Sequence, residues 1–110
     1  MRKNKKKIIL IIDTSNSEET IVGLEINSKK NFLKGKSKIL KAQNVLPLLD
    51  KILKKHKIKT SDLTAITVKT GPGSFTGLRV GVAVANALAW VLKISVNGKS
   101  QAIPRYKFDN

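Results

Sequence analysis

The stretch Ala65-Ile66-Thr67-Val68-Lys69-Thr70-Gly71-Pro72-Gly73-Ser74-Phe75-Thr76-Gly77-Leu78-Arg79-Val80-Gly81 decides the fold of this 110-residue chain. Ala65 to Thr70 reads as a strand, Gly71 to Gly77 as a glycine-rich loop, and a helix continues to about Leu92. A strand, a loop and a helix in that order bring backbone N–H groups to a helix N-terminus, where an anion can sit. The familiar phosphate motifs do not fit. A P-loop needs Gly-Lys-Ser/Thr after four residues, but Gly77 follows Gly73 by four positions and is succeeded by Leu78-Arg79. Gly71, Gly73 and Gly77 are one residue too widely spaced for a dinucleotide fingerprint. A purely conformational role and an anion-binding role both remain open for this loop.

Working outward, the helix is apolar nearly all round. Gly77, Gly81, Ala85 and Ala89 recur every four residues, and Leu78, Val82, Val84, Leu88, Val91 and Leu92 cover much of the rest. Only Arg79 and Asn86 are polar, and both fall on one side. Such a helix needs cover on more than one face. Glycine inside a helix costs about 1 kcal/mol relative to alanine, so Gly81 points to close approach of another backbone. With two helices to share the covering, that backbone is expected to come from a partner chain. The predicted contact face comprises Leu49, Ile52, Leu53, Phe75, Leu78, Gly81, Val82, Ala85 and Ala89.

Upstream, Lys7 to Asp13 is apolar on both parities, as in a strand buried on both faces. Asp13-Thr14-Ser15-Asn16 reads as a turn, Thr20 to Ile26 as a second strand, and Asn27 to Lys30 as a hairpin connection into a third strand near Asn31 to Lys38. Val45, Leu48, Leu49, Ile52, Leu53 and His56 then mark an amphipathic helix, with Asn44 as its cap and Pro47 in its first turn. Ser61-Asp62 caps a short turn, and Ile94 to Val96 is a last strand ended by Asn97-Gly98. The order is β-β-β-α-β-α-β, an α/β fold with a mixed sheet of about five strands and two main helices.

Composition narrows the chemistry. The chain carries 22 Lys+Arg against 7 Asp+Glu, a net charge of +15, and is 41% hydrophobic, enough for a core. It has no Cys and one His, which excludes a disulfide scaffold, a thiolate metal site and a Cys nucleophile; no metal site is expected. Five cations lie in residues 2–7 and eleven between Lys29 and Lys59. Nineteen of the 22 are Lys, whereas base-edge and bidentate phosphate readers favour Arg. The charge therefore reads as a solvated face with weak attraction for RNA. The longest apolar run, Gly77 to Leu92, is 16 residues and short of the ~20 that span a bilayer. No membrane role and a cytoplasmic location are expected.

Ile11-Ile12-Asp13-Thr14-Ser15, Val45-Leu46-Pro47 and above all the run Gly71 to Gly81 resemble the TsaB (YeaZ) family, over about residues 7–104. The resemblance implies one RNase H-like lobe of the actin-like ATPase superfamily. It divides the chain into a basic, disordered start (1–6), the lobe (7–98) and an irregular tail (99–110), with the family's second lobe missing. It also implies a non-catalytic scaffold, with no catalytic residue of its own. That scaffold supports TsaD, with TsaE joining, in threonylcarbamoyl modification of the adenosine beside the tRNA anticodon. The same helices would pair the chain with itself as a homodimer. No cofactor is expected on this chain; ATP or ADP and Mg would act on the partner subunits. Lys41 stands where many relatives carry His.

Two other functions stay open. Asp13, with Thr14 and Ser15, could hold a metal-bound phosphate in a kinase or ATPase half, although no second titratable group for acid–base work is evident. Its plainer role is capping its own turn. Alternatively the chain is a stand-alone basic RNA-binding module.

Overall fold

The computed structural model describes residues 6–36 and 42–103. Residues 1–5 of the basic start, Lys38 at the expected end of the third strand, Lys41 and the last seven residues of the expected tail lie outside them. The elements are β1 (Ile8–Asp13), β2 (Glu19–Ile26), β3 (Lys29–Lys36), α1 (Ala42–Lys55), a 3-10 turn (Thr60–Asp62), β4 (Ala65–Val68), α2 (Phe75–Leu92) and β5 (Ser95–Val96). They form one five-stranded mixed sheet in the order β3-β2-β1-β4-β5. β1 pairs antiparallel with β2 and parallel with β4; β4 in turn pairs parallel with β5.

The register explains the core. Leu10 lies beside Leu24 and Ile66, and Ile12 beside Val22 and Val68, so one sheet face is a continuous apolar surface. All six side chains are buried. Onto that face pack Val45, Leu49, Ile52 and Leu53 of α1 and Val82, Ala85 and Ala89 of α2. α1 crosses from β3 to β4 and α2 from β4 to β5. Both shift in the same direction across the sheet, so right-handed connections place both helices on the same side.

Several boundaries move from their sequence-based positions. The first hairpin is tighter than expected: Asn27 and Ser28, at φ 50° and 73°, turn the chain alone, and Lys29 and Lys30 belong to β3. Two consecutive left-handed residues match the twist of the flanking strands. α1 begins at Ala42, so Asn44 lies inside the helix rather than capping it. Its Nδ2 donates to the Lys36 carbonyl at 2.6 Å, tying α1 to the end of β3. Pro47 consequently falls in the second turn, on the exposed side. β4 ends at Val68, although the Lys69 N–H still donates to the Ile12 carbonyl at 2.9 Å.

Packing extends past residue 98, where an irregular tail was expected to begin. Asn97 and Gly98, at φ 53° and 75°, reverse the chain, and Lys99 bridges back to Val96. Ala102 is buried, and its N–H and carbonyl both bond the Asn86 side chain, at 2.7 and 2.9 Å. Asn97 likewise bridges the Val68 N–H and carbonyl, at 2.8 and 2.9 Å, fixing the end of β4.

Candidate functional site

Two turns distant in sequence meet at the carboxyl ends of β1 and β4. At the first, Asp13 Oδ1 accepts from both the N–H and the hydroxyl of Ser15, at 2.9 and 2.6 Å. This is the self-capping turn expected of an Asp followed by small hydroxyl residues. At the second, the glycine loop lies on the first. The Ser74 N–H donates to the Ser15 carbonyl at 2.8 Å, and the Thr14 hydroxyl donates to the Gly77 carbonyl. A Cβ on Gly73 would fall 2.6 Å from Ser15 Cβ, so only glycine permits this approach.

The loop then launches α2. Ser74 is its N-cap, with Oγ accepting from the Gly77 N–H at 3.2 Å. Gly71 adopts φ 141°, a region open to glycine, and precedes a cis bond to Pro72; Thr76 is exposed. Loop conformation thus accounts for Gly71 and Gly73, and helix capping for Ser74. Among the described residues, no three His, Cys, Asp or Glu side chains gather to hold a metal.

The predicted contact face requires correction. Leu49, Ile52, Leu53, Leu78, Val82, Ala85 and Ala89 are all buried within this lobe, and Gly81 with them. What approaches Gly81 is not a partner's backbone but the chain's own Thr14 side chain, which a Cβ there would overlap. The stripe of small residues lets α2 lie close on β1 and β4 rather than on a partner. By length and composition α2 could cross a membrane, but this side of it is spent on the sheet.

The surface left outside is the other half of α2. Trp90 is 81% exposed, Val91 67% and Phe75 51%. Arg79 lies on the same side, its guanidinium 5.5 Å from the centroid of the Phe75 ring. Beside this face Leu46 of α1 is 57% exposed. It borders a groove of about 190 Å³ between the helices, whose lining includes Leu49, Leu53 and Leu88. Of the predicted contact residues only Phe75 stands outward. Trp90, Val91 and Leu46 were missed, although bulky residues opposite a glycine and alanine stripe are the signal that marks a helix's outer side.

Comparison with known proteins follows the same lines. The family model described as TsaD, tRNA N6-adenosine threonylcarbamoyltransferase, matches residues 38–100. The tRNA threonylcarbamoyladenosine biosynthesis protein TsaB of Buchnera aphidicola subsp. Schizaphis graminum is 34% identical, with 84% of this chain and 44% of that protein covered. The protein of the same name from Bacillus subtilis is 35% identical, over 84% of this chain and 40% of that one. Among solved structures, YeaZ from Pseudomonas aeruginosa superposes with a TM-score of 0.76 at 31% identity, covering 82% of this chain and 42% of its own. The chain spans less than half the length of these relatives.

Proposed function

Because the chain belongs to the TsaB (YeaZ) family, we propose that it works in threonylcarbamoyladenosine formation on tRNA, as an assembly subunit rather than the catalyst. Its working surface is the outer face of α2. Its partner is a TsaD homologue, with TsaE joining the complex, or a second copy when that partner is absent. A tRNA substrate places the work in the cytoplasm.

The observation that carries this reading is Trp90, at 81% exposure on a helix whose opposite side is already buried. An aromatic side chain of this kind removes ~150–250 Å² from water when covered. At ~25 cal/mol per Å² that is roughly 4–6 kcal/mol before the entropic cost of association. Val91 lines the same groove as Trp90, and Phe75 at the other end of α2 and Leu46 of α1 are exposed as well. The related fold of the partner is the natural complement, since the TsaD model matches this very segment of the chain.

A scaffold role also fits the turn at Asp13. Oδ1 of its carboxylate is occupied by Ser15, and the loop facing it is held by Thr14 and Ser15. Nucleotide and Mg chemistry would then belong to the partner subunits.

Size-exclusion chromatography with light scattering, on the chain alone and with the TsaD homologue, tests the proposal. The wild type should elute as a complex, and Trp90→Glu should elute separately with an unchanged circular dichroism spectrum. A Trp90→Glu variant that still forms the complex would overturn the assignment of this face.

A further inference from the structure

The helices occupy one side of the sheet; among the described residues, no helix packs on the other. On β3, strand alternation places Lys30, Phe32, Lys34 and Lys36 together on that open side. The ring of Phe32 leans over Gly23 of β2, filling the space that a Cβ there would take, and remains 49% exposed. All four lysines of β3 are exposed.

The charges on this side are of both signs, and their register matters. Glu25 lies across from Lys30 and Glu19 across from Lys36, as cross-strand partners in the ladder. Lys34 instead lies across from Ile21. Asp13, which shares this side by alternation, is hydrogen-bonded to Ser15. Lys69 continues the same side one step past β4. The three acids leave Lys30, Lys34, Lys36 and Lys69 a single net positive charge, and Lys30 and Lys34, two residues either side of Phe32 on one strand, flank the exposed ring.

We propose that this open sheet face binds single-stranded RNA, with a base stacked on Phe32 and phosphates held by Lys34 and its neighbours. A ring bracketed by cations suits a ligand with both a π surface and regular negative charge. The bases of a duplex are stacked internally and cannot reach such a ring, so an unpaired segment is required. This goes beyond the assembly role, which needs no RNA contact by this chain. The two are separable: loss of RNA binding would leave complex formation intact.

The test is fluorescence anisotropy of the full chain with a labelled RNA of about 12 nucleotides, within the usual ~4–16 nucleotide site. The same strand annealed to its complement serves as the duplex arm. The wild type should prefer the single strand. Phe32→Leu, which keeps Gly23 covered, should weaken single-strand binding about 3–10-fold while leaving the melting temperature unchanged. Lys34→Glu should do the same and flatten the salt dependence, whereas Lys55→Glu on the far side of α1 should have little effect.

Equal binding of duplex and single strand, or equal losses from Lys34→Glu and Lys55→Glu, would reduce the interaction to bulk charge and overturn the proposal. So would a Lys34→Glu variant that keeps RNA binding but loses the TsaD homologue, which would make this face a protein interface.

Discussion

Gly81 of α2 and Thr14 of the β1 turn occupy one another's space: Thr14 is fully buried, and its hydroxyl sits where a Gly81 Cβ would be built. The same hydroxyl donates to the Gly77 carbonyl one turn earlier in the helix. Sixty-three residues separate Thr14 from Gly77, so this contact joins the start of the chain to the start of α2.

Gly81→Ala should therefore destabilise the lobe despite alanine's better helix propensity. We expect a loss of about 1–3 kcal/mol, as for overpacking of a well-filled site. In a domain of this size that lowers the melting temperature by several degrees. Adding Thr14→Ala should recover part of the loss, and a double-mutant cycle by thermal unfolding measures the coupling. Strict additivity would show that the two residues do not share a contact.

Trp90 is the single tryptophan of the chain and is largely exposed. Its emission should resemble that of tryptophan in water and move to shorter wavelength when a TsaD homologue is added. The signal is read as the difference from the partner alone. An unchanged spectrum in a complex that forms would place the interface elsewhere.

Asn97 satisfies both backbone groups of Val68 while adopting a left-handed conformation. Asn97→Ala removes both bonds and strains the turn. It should cost about 1–3 kcal/mol, with Asn97→Asp, which keeps only the acceptor, falling between. Chemical denaturation measures the order of the three proteins.

Asn86 holds the segment after β5 through Ala102. Asn86→Leu should release it, so that the Ala102 amide exchanges with solvent at the rate of an open chain. Protection equal to the wild type would mean that burial alone retains the segment.

Much of this architecture is legible in the sequence alone. The apolar run Lys7 to Asp13 marked a strand, although only alternate positions of it are fully buried, and Asn27 to Lys30 marked the first reversal, although only Asn27 and Ser28 make it. The four-residue spacing of Gly77, Gly81, Ala85 and Ala89 marked a close contact. What that spacing cannot say is which group approaches, because helix periodicity defines a face without naming its neighbour. The answer depended on Thr14, a residue whose role exists only once β1 and α2 are side by side. Asn44 misled for a similar reason: its position suited a cap, but the Lys36 carbonyl offered its side chain a partner across the fold. Asn86 stands out only as a polar residue on an apolar helix and Asn97 only as a turn residue; neither announces its partner, since each serves a backbone far along the chain.

The outer border of the sheet is β3, where four of eight side chains are lysines. An unpaired strand of that length is a template on which further strands can add. Two molecules meeting border to border would crowd eight ammonium groups together, so electrostatic repulsion disfavours fibril-like growth. Resistance to such growth thus rests on side chains that contribute almost nothing to the packed interior.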